Sequence, residues 1–572
     1  MAGVTMWRAG LVVVAMVAIA LRLPGLGYGL PAVYHPDEIA ILNRALALGT
    51  GQLNPGNFVY PSFYFYALLV WEGLSFVAGL ATGVFQSIAD FRRAYFVDAT
   101  WHYLTGRILT LVCGVATVLL TARLGAVLYD RAVGIVAAFF LAVAPFAVRD
   151  AHYIKHDVPV TLLVVLTLIA AASLVARPDR RASAVGWLVA GGLAGLAAST
   201  HYYAVFVAAA VGAAALAGLP DERWRLRVRH VAIAAAAAVI LFALGSPFLV
   251  LDPATAWADI AANRAIVMDR AMASAGTFGS AWRYAEMLAF EAAGWPVFLL
   301  GVTGVALAIA GDWRRALVWL AFPAVFLAFL ANTVPAGRYL NPILPILALA
   351  AAYAVRRAAA AFSRPAATTV ALSVLALLPA AVASARVGVF FRETDTRTLA
   401  TALIRREVPP GAAVLIQPYS VALRPSRESL VRALRTHLGS ETLASPRFRG
   451  QLELNPYPEP AYDVFWLGEG GLDTDKIYVP PAEFTAAGSL APIKERNIQY
   501  VVLNQARGTN PAFRDLERAL GAEATLVGRL VPWDDPENEK EERPEPFLHN
   551  TDRTIDERLE RPGPVVELWK VR

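Results

Sequence analysis

Arg149-Asp150-Ala151-His152-Tyr153-Ile154-Lys155-His156-Asp157, residues 149–157, crowds both signs of charge into one short run. The run interrupts long apolar stretches in a chain of 572 residues that is 57% hydrophobic and 17% charged. A second island, His35-Pro36-Asp37-Glu38, follows the first apolar stretch. Mean hydropathy is +0.50, and apolar runs recur at roughly 20 residues, the length that crosses a ~30 Å hydrocarbon core. The pattern is that of a polytopic α-helical membrane protein. Ionisable groups at a bilayer boundary lose hydration, so they mark function there by default. Two islands on one face imply a membrane-embedded active site.

Working outward from the islands, eleven spans are expected: Gly10–Leu30, Thr105–Leu124, Ala132–Val148, Val158–Ala176, Ala184–Thr200, Tyr203–Leu219, Val231–Val250, Gly294–Ala310, Ala316–Thr333, Leu340–Val355 and Thr368–Val387. Arginines orient them. Arg177, Arg180 and Arg181 follow the fourth span, and Arg223, Arg225, Arg227 and Arg229 the sixth. Arg314 and Arg315 follow the eighth, and Arg356 and Arg357 the tenth. With alternating spans these loops share one side, which the positive-inside rule makes cytoplasmic. Both islands, the loop Asn332–Tyr339 and everything after Arg386 then face outward. Tyr60–Gln86 is also apolar, but as a span it would reverse every later loop, so it is read as re-entrant or interfacial. Leu11–Leu21 could be a signal-peptide core; without a convincing cleavage site it is read as part of a retained span.

The net charge of +6 sits largely in those short loops and does not indicate nucleic acid. The single cysteine, Cys113, rules out a disulfide within the chain. From about Glu393 charge and proline increase and no further span is expected. Helices at Leu399–Glu407 and Asn510–Leu520, with strands at Ala413–Gln417, Gln499–Leu503 and Val565–Trp569, make a small α/β domain. Asp534–Pro546 reads as a charged, solvated loop. The division is therefore a membrane domain over residues 1–390 and an extracytoplasmic α/β domain over 391–572.

Pro36-Asp37-Glu38 is also an ordinary helix start, with proline in the first turn and acids behind it. At a membrane boundary, however, the carboxylate of Asp37 could accept a proton from an attacking hydroxyl. Glu38 is about 100° away on the helix and is expected to support it. In the second island Lys155 and Arg149 could hold an anionic group and Asp157 a sugar hydroxyl. His152 and His156, four apart, are a weak metal pair. Arg338, at the start of a span, either snorkels to lipid headgroups or clamps a phosphate. Tyr60, Tyr153, His201, Tyr202 and Tyr339 are candidate substrate contacts. Arg264, Asp269, Arg270 and Glu286 fit a solvated loop. No Walker-type or dinucleotide-binding glycine motif and no HExxH occurs, so a donor must reach the outer face by another route, as a lipid-linked sugar does.

Over roughly residues 8–390 the chain resembles membrane glycosyltransferases of the GT-C fold, nearest to protein O-mannosyltransferases and bacterial aminoarabinose lipid A transferases. The resemblance rests on Pro36-Asp37-Glu38, Tyr60-Pro61, His152-Tyr153-Ile154-Lys155-His156-Asp157-Val158-Pro159 and Arg338-Tyr339-Leu340, in that order. It implies that Asp37 is the catalytic base and Asp157 a second acid. It also implies a polyprenyl-phosphate-linked sugar donor and an acceptor that is a protein, lipid or envelope glycan. It places the protein in the bacterial inner membrane, with no required cofactor and a divalent metal left open. Two other readings remain at this stage: a transporter or flippase of lipid-linked glycans, and a polysaccharide ligase or polymerase using a diphosphate-linked donor.

Overall fold

The structure, a computed structural model, describes residues 2–177, 183–217, 224–471, 473–505, 513–535, 537–540, 544–548 and 553–572. Arg180, Arg181, Arg223, Leu219, Asn510 and part of the 534–546 loop, all used above, lie outside these residues.

The membrane part is helical throughout. Helix α1 (Ala2–Arg22) stops well short of the expected Leu30, because residues 23–33 turn back on themselves. Gly25 takes φ +81° there, with Phe391 packed where a Cβ would stand. Arg22, fully buried, donates to Ala142 O at 2.8 Å, one of the carbonyls that a helix C-terminus leaves unpaired. Helices α2 (Pro36–Leu48), α3 (Phe63–Ala81), α4 (Ile88–Val97) and α5 (Thr100–Leu128) follow. Then come α6 (Arg131–Ala142), α7 (Pro145–Arg149), α8 (Asp157–Ala176), α9 (Ala184–Thr200), α10 (Ala208–Ala217) and α11 (Trp224–Gly245). The domain ends with α12 (Trp295–Leu330), α13 (Leu344–Ala359) and α14 (Pro365–Phe390).

Among the described residues, seven helices are long and apolar enough to cross a membrane, or eight if α6 and its 66° bent continuation form one span. The expected count of eleven differs for two reasons. First, the stretches Ala184–Thr200 and Tyr202–Ala217 are apolar but short, and α13, expected as Leu340–Val355, is only 16 residues long. Second, α12 is two helices joined at Asp312, where φ −150° and ψ 81° break the helix. Its ends lie together, since Ser280 binds Ala331 O and Thr333 O just ahead of the segment leading into Trp295. At the other end, Arg315 donates to Leu128 O and Trp319 to the Tyr129 hydroxyl. The segment is therefore a hairpin with the Asp312–Arg315 turn beside the α5–α6 turn.

Helix α3 passes the length test although it was expected not to cross. Its packing shows where it runs. Phe63 lies against Gly245 and Ser199, at the ends of α11 and α9. Leu68 and Trp71 meet Gly106 and Thr105 in the first turns of α5. Gly79 meets Phe85 and Trp101. Beyond it, Arg93 donates to Asn455 O, and Phe96 O and Val97 O accept from Arg424. Both ends of α3 thus stay on the side of the C-terminal domain.

That domain begins with α15 (Thr396–Glu407) and is built on one six-stranded sheet, order β3-β2-β1-β4-β6-β5. The strands are β1 (Ala413–Ile416), β2 (Asp463–Leu467), β3 (Ile477–Val479), β4 (Tyr500–Gln505), β5 (Ala524–Leu530) and β6 (Val565–Val571). The first four are mutually parallel, and β6 runs antiparallel to both β4 and β5. Two apolar clusters flank the sheet, one around Val501 and Leu503, the other around Val414, Val502 and Ile404. The domain is fastened to the first outer loop by Tyr28, whose hydroxyl donates to Asp395 at 2.9 Å, and by Tyr34, 2.7 Å from Thr398 Oγ1. Arg397 seals this joint, paired with Asp395 at 2.7 Å and stacked over Tyr34.

Candidate active site

Pro36 opens α2 with fixed φ, and His35 caps it, its Nδ1 accepting from Asp37 N at 3.2 Å. This local geometry sets the two adjacent acids on different faces. The Asp37 side chain, 34% exposed, points to the mouth of the site and pairs with Lys155 Nζ at 3.2 Å. Glu38 is fully buried, and its two oxygens accept from Arg107 Nε at 2.9 Å and Nη2 at 2.7 Å. Glu38 Oε1 also accepts from Ile154 N at 2.9 Å, while Arg107 Nη1 donates to Leu26 O and Tyr28 O. Expected as a supporting acid in the reaction, Glu38 instead ties α2, α5, the first outer loop and the second island together. It therefore fixes the residue next to Lys155.

Lys155 is 4% exposed. Burial, and then the positive charge of Arg338, hold its ammonium below the usual lysine range. Asp157 opens α8 and accepts from the Tyr203 hydroxyl at 3.2 Å. Arg338 lies over the Tyr339 ring, 5.0 Å from its centroid, and interacts electrostatically with Asp157, Asp37 and Lys155. Two acids and two cations from three separate outer segments therefore converge. Asn341 braces the third segment against the second, donating to Asp150 Oδ2 at 2.6 Å.

An aromatic wall adjoins the charges. Tyr60 stacks on His156 at 4.3 Å and meets His201 edge-on at 5.2 Å. Tyr64 and Phe65 close on His156 from α3, and His201 stacks on Tyr203 at 3.7 Å. His156 is buried, with neither ring nitrogen hydrogen-bonded. Burial pushes its imidazole down to about 3, so it stays neutral at ordinary pH.

Several expectations need correction. His152 and His156 do not form a metal pair. Residues 150–152 make a 3-10 turn and the next residues leave the helix, so the four-residue spacing no longer gives one face. The His152 nitrogens lie 2.9 Å from Val148 O and Pro24 O. No group of three or more His, Cys, Asp or Glu that could hold a metal occurs among the described residues. Arg149 pairs with Asp150 at 2.8 Å and packs on Phe146. Tyr153 is buried against His35 and Phe391, and Tyr202 spends its hydroxyl on Phe58 O at 2.9 Å. Arg264 and Asp269, by contrast, are an exposed pair, in keeping with the solvated segment expected there. Arg107 and Asn341 were missed. An arginine inside the expected span Thr105–Leu124, which also holds Arg123 near its other end, was a signal, because a charge there needs a buried partner; Asn341 carried none.

A family model described as dolichyl-phosphate-mannose-protein mannosyltransferase matches residues 101–250. No curated protein matches the chain by sequence. Among solved structures, the chain is similar to the archaeal oligosaccharyltransferase AglB from Archaeoglobus fulgidus in complex with an inhibitory peptide and a dolichol-phosphate. The identity is 11%, the TM-score 0.54, and the match covers 99% of this chain and 88% of that one. The apo form of the same oligosaccharyltransferase gives a TM-score of 0.55 at 11% identity, with the same coverage of both chains. ArnT from Cupriavidus metallidurans bound to undecaprenyl phosphate is 12% identical, with a TM-score of 0.52, covering 99% of this chain and 98% of that one. The likeness to these solved structures shows a shared fold over nearly the whole chain, and the family match is confined to residues 101–250.

Proposed function

We propose that the chain transfers a sugar from a polyprenyl-phosphate donor to an acceptor hydroxyl or amine at the outer face of the membrane, with Asp37 as general base. The observation that carries this reading is the Asp37–Lys155 pair: a partly exposed carboxylate joined to a buried ammonium at 3.2 Å, with Arg338 and Asp157 beside it. The phosphate-bound lipid of the ArnT structure and the mannosyltransferase family match support the class of donor.

The chemistry follows from the charges. In the empty site Lys155 neutralises Asp37 and weakens it as a base. A donor phosphate near Lys155 and Arg338 draws that positive charge to itself, which releases Asp37 to accept a proton. The acceptor oxygen or nitrogen then attacks the anomeric carbon and gives its proton to Asp37. The bond from that carbon to the phosphate oxygen breaks, and its electron pair leaves with polyprenyl phosphate. Lys155 and Arg338 stabilise the negative charge that develops there. Tyr60, Tyr339 and the His156–His201 wall flank the sugar, and Asp157 holds one of its hydroxyls. The C-terminal domain lies on the outer side, the arginine loops in the cytoplasm.

The test is mass spectrometry of envelope glycans, lipids and polyprenyl-linked sugars in a deletion strain, complemented with wild type or Asp37→Asn at matched protein levels. The reading expects the deletion and Asp37→Asn to lose the same sugar from the product while its lipid-linked donor accumulates. Full rescue by Asp37→Asn would remove Asp37 as base.

A further inference from the structure

A cavity of about 600 Å³ lies between the membrane helices and the C-terminal domain, a size typical of ligand sites. Helix α7 supplies Phe146 and Arg149 to its wall, and α14 supplies Pro379, Val382, Ala383, Arg386 and Val387. Glu291, from the short π-helix Met287–Ala292 ahead of α12, and residues 553–558 of the C-terminal domain close it. The cavity therefore exists only where the two domains meet.

Its lining is graded. The α14 residues share one helical face at spacings of three and four, and Arg386 stands one turn nearer the C-terminal domain than Val382. Val382 is 62% exposed and Leu378, one turn further into the span, is 59% exposed, so the apolar end opens sideways where lipid chains would lie. The polar end carries both signs: Arg149, Arg386, Arg553 and Arg558 against Glu291, Asp556 and Glu557. Two arginines already have a carboxylate, Arg149 with Asp150 and Arg558 with Asp556. Arg386 donates to the carbonyls of Asp556 and Leu559, and it shares the single Asp556 carboxylate with Arg558, so positive charge is in excess there. Glu291 accepts from the backbone of Thr554, which leaves its negative charge uncancelled.

An amphiphile with chains at Val382, a phosphate at Arg386 and an ammonium at Glu291 matches all three features. We propose that this cavity binds a phospholipid of the surrounding leaflet whose headgroup carries both phosphate and primary ammonium, and that the bound lipid bridges the two domains. The same phosphate chemistry could be offered by inorganic phosphate or by polyprenyl phosphate, and the experiment separates them.

Purified full-length protein in mild detergent is delipidated, incubated with phosphatidylethanolamine, phosphatidylglycerol, undecaprenyl phosphate or inorganic phosphate, and examined by native mass spectrometry. Retention of phosphatidylethanolamine several-fold above phosphatidylglycerol is expected. Ala383→Trp, which fills the apolar floor, should abolish it. Glu291→Gln keeps an acceptor for the Thr554 N–H and should erase the preference between the two phospholipids. Equal or better retention of phosphatidylglycerol by the wild type, displacement by undecaprenyl phosphate or inorganic phosphate, or unchanged retention in both variants would overturn the proposal. The readout requires no turnover, so it stands apart from the assignment of Asp37.

Discussion

At the scale of single residues, the neighbours Asp37 and Glu38 should answer differently to the same conservative change. On the proposed mechanism Asp37→Asn removes the general base, so the rate should fall about 10²–10⁴-fold, while thermal unfolding in detergent should stay nearly unchanged. Glu38→Gln strands the fully buried Arg107 guanidinium, which costs about 3–5 kcal/mol when a buried pair is broken from one side. Its melting temperature should fall clearly, and the double variant Glu38→Gln with Arg107→Met should recover part of that loss. A Glu38→Gln protein as stable as wild type would contradict the brace. Lys155 gives a pH prediction. The site needs its ammonium charged, and burial lowers its proton affinity, so activity should decline on the alkaline side below the pH at which an exposed lysine titrates. In Lys155→Arg the alkaline limb should move upward or vanish, since guanidinium does not deprotonate in that range. Both islands were legible in the sequence as charges out of place among apolar residues. The sequence singled out Asp37 over Glu38 as the base but did not show Glu38 as a brace, because that depends on Arg107, contributed by a helix some seventy residues away.

Among elements, the α9–α11 pair rests on small residues. Gly191 and Gly195, one turn apart, lie against the backbone of Ala234 and Ala238, where any Cβ would overlap a carbonyl oxygen. Such close approach is a main source of helix affinity in lipid, where no hydrophobic drive remains between helices. Gly195→Val should force the pair apart at about 1–3 kcal/mol, seen as a lower melting temperature in detergent, whereas Gly212→Ala, whose Cβ would meet nothing within 4 Å, should be neutral. Long apolar helices such as α8 and α14 were readable from composition alone. The hairpin at Asp312 was read as two spans with Arg314 and Arg315 in the exposed turn between them, whereas the bend after Ala142 was read as part of one ordinary span, since a bend buried in the fold carries little compositional mark. In the sheet, β1, β4 and β6 were read close to their positions. Strand β3 is three residues long, and β5 shifts register between Leu526 and Gly528, so neither offers a sustained alternation, and β2 was missed with them.

For the whole molecule, the deciding matter is which loops share a side, because the reaction requires Asp37, Lys155 and Arg338 to face one compartment. Helix α3 is the pivot. By length it could cross, and a crossing there would reverse the side of every later loop and send the arginine turns outward. Its contacts with the first turns of α5 and with the ends of α9 and α11 keep it on one side. A chain with one native cysteine allows a clean test. On a Cys113→Ala background, single cysteines replace Thr50 between α2 and α3, Glu469 in the C-terminal domain and Arg364 between α13 and α14, all exposed positions. In intact cells a membrane-impermeant maleimide should label Thr50→Cys and Glu469→Cys alike, and reach Arg364→Cys only after permeabilisation. Labelling of only one of Thr50→Cys and Glu469→Cys would make α3 a span. The second island and Asp37 would then lie on opposite sides, and the convergence of Lys155 on Asp37 would have to be abandoned.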